Sequence, residues 1–114
     1  MKDALHPERC AEMLAALAAP ERLRIIRFLR EGPRNVTEIA ELLQIPPVNA
    51  AHHLSKLHDA GLIQRRKQGR FVLYSLTPDV LHAANASTDQ LNLGCCRLEL
   101  PPTPGSHPTN GENC

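Results

Sequence analysis

Over the first sixty residues, apolar side chains recur every three to four positions in four separate windows, and prolines stand at the window boundaries. Pro7, Pro20, Pro33 and Pro46 each mark a place where a helix can begin or a turn intervene, because proline fixes φ and lacks only an N–H that a first helical turn would leave unpaired. The first window predicts a helix from about Pro7 to Ala18 that aligns Cys10, Leu14 and Leu17. The second predicts one from about Pro20 to Arg30 that aligns Leu23, Ile26 and the Phe28-Leu29 pair and stops at Gly32-Pro33. In the third, VTEIAELL, the residues Val36, Ile39, Ala40 and Leu43 share one face, and Asn35 with Glu38 has the spacing of a capping box. The fourth follows a break at Ile45-Pro46-Pro47. In VNAAHHLSKLHDAG, Ala50, Leu54 and Leu57 form the inward stripe, while Asn49, His52, His53 and Lys56 fall on the opposite face.

After Gly61, read as a left-handed helix cap, the period changes. Leu62-Ile63 and Phe71-Val72-Leu73-Tyr74 flank Gln68-Gly69, a pattern that predicts an antiparallel hairpin with glycine in its turn. Thr77-Pro78-Asp79 then offers a cap, a first-turn proline and a first-turn acid, predicting a last helix that displays Leu81, Ala84 and Leu91 and ends before Gly94. From Pro101 onward the chain has no apolar period and is rich in Pro, Gly, Asn and Thr, the composition of a mobile tail. The expected fold is mainly α with one β-hairpin, in the order α-α-α-α-β-β-α. Residues 1–93 would form one domain and residues 94–114 a flexible, cysteine-bearing tail. No internal repeat is present.

The polar side of this pattern carries the chemistry. A short helix, a proline turn, a second helix with a solvated face of donors and then a basic hairpin is an arrangement that can meet base edges and phosphates of a DNA duplex. Asn49, His52, His53, Ser55 and Lys56 are the candidate DNA-facing residues of the second helix; Arg65, Arg66, Lys67 and Arg70, with no acid among them, are the candidate phosphate contacts of the hairpin. The net charge of +1 hides this separation. Residues 1–77 hold 12 Lys or Arg against 8 acids, whereas residues 78–114 hold Arg97 alone against Asp79, Asp89, Glu99 and Glu112, so the positive charge is local to the reading half. No apolar run approaches the roughly 18 residues of a membrane span and the N-terminus lacks a secretory pattern, so a cytoplasmic protein with reduced cysteines and no membrane partner is expected. No paired carboxylates, Gly-rich phosphate loop or Cys-His-acid set speaks for an enzyme.

These residues resemble a family, the winged-helix repressors of the ArsR/SmtB type, which are bacterial metal- and metalloid-responsive transcription factors. The resemblance is carried by Pro20-Glu21-Arg22-Leu23-Arg24-Ile25-Ile26, by HHLSKL at His52 to Leu57, by AGLI at Ala60 to Ile63 and by GRFVLYSL at Gly69 to Leu76, and it covers roughly residues 7 to 92. Family members often carry Ser or Gln near the start of the reading helix, where this chain has Pro46, Pro47 and Ala51. The resemblance implies a winged helix-turn-helix and a homodimer built through the first and last helices. Such a dimer would present two reading helices to a palindromic operator with half-sites about 10 bp apart.

Cys95-Cys96 is the second informative feature. Adjacent cysteines in a reducing compartment point to a soft ion or to a response to oxidants. Some arsenic-responsive members of the resembled family carry their metalloid thiols at this place, after the last helix. As(III) and Sb(III) commonly take three sulfurs, so the vicinal pair supplies two. The third is open between Cys114, which a flexible segment could fold back, and Cys10, if the first helix of one subunit lies beside the last helix of its partner; a lone Cys on an apolar helical face is more often a small buried hydrophobe. A zinc site of His and carboxylate is not assembled, since Asp79 and His82 have no downstream His-x-x-acid pair. The sequence thus leads to a repressor that leaves its operator on binding a thiophilic metalloid at Cys95 and Cys96, with a thiol-redox or persulfide-responsive repressor using the same cysteines as the alternative.

Overall fold

A computed structural model describes residues 7–80 and 90–99 of the 114. The chain begins with α1 (Pro7–Leu17) and α2 (Pro20–Leu29), each opened by its proline, and continues with α3 (Val36–Leu43) and α4 (Pro47–Asp59). A hairpin of β1 (Ile63–Gln68) and β2 (Phe71–Leu76) follows, and a second, shorter hairpin pairs β3 (Gln90–Asn92) with β4 (Arg97–Glu99).

The four helices wrap one core. Ile25, Ile26, Ile39, Leu54, Leu57, Leu62 and Leu91 are its largest fully buried side chains. The inward stripes expected of α3 and α4 are the observed ones: Ile39, Ala40 and Leu43 from the first, Ala50, Leu54 and Leu57 from the second, with Val36 packed at the edge. The capping box also forms. The Asn35 carboxamide oxygen accepts from the Glu38 amide at 2.8 Å and the Glu38 carboxylate accepts from the Asn35 amide at 2.9 Å, which satisfies two otherwise orphaned N–H groups and fixes where α3 starts. At its other end Gln44 takes a left-handed φ of 58° and turns the chain towards Pro46.

On α1 the buried face is displaced from the expected one. Met13, Ala16 and Leu17 are inside, Cys10 is half-buried, and Leu14 is 40% exposed. Both stripes satisfy a helical period, and packing against α2 and α4 selects the one through Met13. On α2, Ile25, Ile26 and Leu29 are buried, with Leu23 and Phe28 packed against the cluster.

The first hairpin is antiparallel with Gln68 opposite Phe71, so its two-residue turn is Gly69-Arg70, one position later than the expected Gln68-Gly69; Gly69 supplies the positive φ of 64°. Arg34 joins this ribbon through a two-way bridge to Tyr74, with N–H···O distances of 3.0 and 2.8 Å. Gly61, at φ 84°, makes the sharp exit from α4 into β1 that the sequence suggested, and the Arg9 guanidinium from α1 packs directly over it.

The expected last helix requires correction at the ends that are described. Thr77–Val80 is a turn closed by the Val80 amide on the Thr77 carbonyl, and residues 90–92 are a strand. Leu81 and Ala84 lie outside the described residues. The physical reason is the period: Gln90, Leu91, Asn92 and Leu93 alternate, with Leu91 and Leu93 buried, which is a strand repeat and not a helical one. Gly94, at φ 93°, then starts the turn into β4, and the Leu93 amide closes it on the Cys96 carbonyl at 2.9 Å. Residues 94–99 of the segment expected as a tail therefore belong to a hairpin packed on the core; residues 100–114 lie outside the described residues.

Candidate nucleic-acid interface and cysteine cluster

Three side chains at 0% exposure, Ala50, Leu54 and Leu57, seat α4 on the core and thereby aim its other face outward. Asn49, His52, Ser55 and Lys56 are exposed on that face, and His53 is half-buried beside them. The His52 and His53 rings lie 6.2 Å apart between centroids at 60°, as expected of adjacent helical residues that diverge. At the N-terminus of the helix, Pro46 is extended and its carbonyl accepts from the Asn49 and Ala50 amides. Along β1 and in the turn after it, the side chains of Arg65, Arg66, Lys67 and Arg70 are exposed, and among the described residues no carboxylate pairs with them.

One contact of this face was not legible in the sequence. Arg22 Nε donates to the Ala16 carbonyl in the last turn of α1 at 2.6 Å, and its Nη1 reaches the Nδ1 of His53 at 3.3 Å. Burial, and next the Arg22 cation, hold the His53 imidazole below its ordinary pKa of 6.5; Glu21 opposes them and His52 adds weakly. Periodicity carries no sign of a pairing across 31 residues.

The cysteines converge from two distant segments. Cys10 lies in the first turn of α1, Cys95 and Cys96 in the β3–β4 turn, and all three are half-buried. Cys10 and Cys95 of the same chain are joined as a disulfide with Cα atoms 6.1 Å apart, and the free Cys96 Sγ stands 4.0 Å from that of Cys95. All three sulfurs lie within 4.8 Å of one another. A thiophilic ion bound to sulfur at about 2.3 Å holds its donors about 4 Å apart, so the spacing fits a three-sulfur site once the disulfide is reduced. The Cys10 alternative of the sequence reading thus arises within one chain, without the partner helix it was expected to need. Asp79 is exposed in the Thr77–Val80 turn, and His82 and Cys114 lie outside the described residues.

A helix pair whose second member faces solvent with donors, followed by a basic hairpin, defines a winged helix-turn-helix. The family model for the bacterial regulatory proteins of the arsR family matches residues 19–65. The chain is 41% identical over 69 residues to the HTH-type transcriptional repressor SmtB of Mycobacterium tuberculosis, an alignment covering 60% of this chain and 51% of that protein. It therefore spans about half the length of that repressor. It is 32% identical over 97 residues to a probable mercury resistance operon repressor of Streptomyces lividans, covering 80% of this chain and 78% of the other. Among solved structures, the homodimeric winged helix-turn-helix DNA-binding domain of a possible ArsR-family regulator of Mycobacterium bovis superposes with a TM-score of 0.61 at 29% identity, covering 67% of this chain and 72% of that one. The chain belongs to the ArsR family, whose members are DNA-binding transcriptional regulators and not enzymes.

Proposed function

We propose that this chain is a homodimeric repressor that binds a palindromic operator and releases it when As(III), Sb(III) or a similarly thiophilic ion is captured by Cys10, Cys95 and Cys96. The observation that carries the proposal is the convergence of three sulfurs, from the two ends of the described chain, within 4.8 Å. In the operator complex, Asn49, His52, His53, Ser55 and Lys56 face the major groove, and Arg65, Arg66, Lys67 and Arg70 grip phosphate. The exposed Leu14 of α1 contributes to the dimer seam, by analogy with the homodimeric neighbour. The relative from a mercury resistance operon supports a soft, thiol-seeking inducer. Cys114 is not a required donor in this reading. No helix among the described residues is long and apolar enough to cross a membrane, and a DNA-binding repressor of this kind works in the cytoplasm.

Arsenite titration of the fully reduced protein, read by sulfur-to-arsenic charge-transfer absorbance and X-ray absorption, tests the site. One As(III) per protomer with three sulfur neighbours is expected, falling to weak binding in Cys10→Ser, Cys95→Ser and Cys96→Ser. Unaltered binding in Cys10→Ser with abolished binding in Cys114→Ser would move the third donor to the tail. A second reading is favoured by the Cys10–Cys95 disulfide: a redox-responsive repressor in which that bond is itself the signal. The two separate under anaerobic reducing conditions, where only the metalloid sensor responds to arsenite.

A further inference from the structure

Helix α1 carries Cys10 at one end and is linked to α4 at the other. Cys10 stands in its first turn, and the carbonyl of Ala16 in its last turn is held by Arg22, whose other nitrogen meets His53 on α4. A guanidinium has five N–H donors and no acceptor. The Nδ1 of His53 facing it must therefore be the bare, accepting nitrogen, and the neutral ring carries its proton on Nε2, at the edge away from Arg22. Protonated Nδ1 would set donor against donor and cation against cation. We propose that Arg22 is a positioning residue of the DNA-reading face: tied to the end of α1, it fixes His53 as a neutral imidazole that offers an Nε2–H donor to an acceptor atom of the duplex.

The surroundings agree. Arg22 and Lys56 line a cleft of ≈ 430 Å³ between α1 and α4, together with Glu12, Asp59 and alanines of both helices. Small residues, Ala15, Ala16 and Ala60, line that cleft, and the Arg22 hydrogen bonds are a polar tie beside it from the end of α1 to α4. The charged groups facing His53 are Arg22 and Glu21 on α2 and His52 on its own helix, and the depressed titration of the ring follows from burial and the first of these. A shift of α1, such as a ligand at Cys10 would bring, reaches His53 through a carbonyl and one guanidinium. The inference rests on α4 being the DNA-reading helix.

The test uses the full-length chain with ¹⁵N-labelled histidine and a duplex selected in vitro by the wild-type protein from a random pool. In wild type, His53 should hold a single Nε2–H tautomer and titrate below 6.5. In Arg22→Met, which keeps the stem and removes both hydrogen bonds, the tautomer should become mixed and the titration should move up towards 6.5. Affinity for the selected duplex should fall about 10-fold, the scale of one hydrogen bond, in Arg22→Met and in His53→Ala alike, with little further loss in the double variant. Additive losses would overturn the proposal, as would unchanged affinity in Arg22→Met. Should Arg22→Met fail to fold, the wild-type spectrum decides: an Nδ1–H tautomer, or titration at or above 6.5, overturns it. Failure of wild type to select any duplex, with the histidine spectrum as expected, would instead overturn the DNA reading on which the inference rests.

Discussion

Cys10 and Cys95 stand 85 positions apart in the chain and are bonded to each other in the fold. That single pairing joins the first turn of α1 to the β3–β4 turn and leaves the Cys96 thiol beside it. Because the same sulfurs cannot serve both a disulfide and an ion, oxidation and metalloid capture exclude each other at this site.

The disulfide has a thermodynamic signature. Closing a loop of 85 residues should stabilise the oxidised chain over the reduced one by about 2 to 4 kcal/mol. Denaturant titration of the oxidised and reduced forms checks this, and Cys10→Ser should erase the difference while Cys96→Ser should keep it.

The wing is expected to act through charge alone. Replacing Arg65, Arg66 and Arg70 by Ala should weaken binding to all duplexes nearly uniformly and reduce the slope of log affinity against log salt by about 0.9 for each phosphate no longer neutralised. Anisotropy titrations on selected and unrelated duplexes at several salt concentrations measure it. Loss of sequence preference at constant affinity would contradict the assignment.

At Gly61 the backbone φ of 84° disfavours L side chains, and an added Cβ would meet the Arg9 guanidinium. Gly61→Ala should therefore cost roughly 1 to 2 kcal/mol of stability. Adding Arg9→Ala should recover only the part due to collision, because the backbone conformation remains unfavourable. Thermal melts of the single and double variants separate the two contributions.

Stability should also depend on His53. Its folded pKa lies below the ordinary 6.5, so the folded state disfavours the proton that the unfolded state accepts. Its contribution is complete above pH 6.5 and is lost as pH falls from there through the depressed folded value. Chemical denaturation of wild type and His53→Gln from pH 5 to 8 should show the wild type losing more stability on acidification than the variant.

How much of this was visible in the sequence depends on the range of each interaction. Helices α3 and α4 and the first hairpin were legible because Ile39, Ala40, Leu43, Ala50, Leu54, Leu57 and the Gly61 and Gly69 turns each signal within a few residues. The face of α1 was ambiguous because stripes through Met13 and through Leu14 fit the same period, and only packing against α2 and α4 decides between them. Strands as short as β3 and β4, three residues each, hold too few alternations to outweigh the helix-start signal at Thr77-Pro78-Asp79. The meeting of Cys10 with Cys95, and of Arg22 with His53, is made by the fold and leaves no local trace.

Release of DNA is the most direct test of the sensing claim. The fully reduced dimer, bound under oxygen-free conditions to its selected duplex, would be titrated with arsenite and followed by fluorescence anisotropy. A coupling of about 1 to 3 kcal/mol, that is a 5- to 150-fold loss of affinity, is expected for wild type, and Cys10→Ser, Cys95→Ser and Cys96→Ser should each bind the duplex yet fail to release it. Undiminished arsenite-driven release in the Cys95→Ser, Cys96→Ser double variant would contradict the three-thiol sensor.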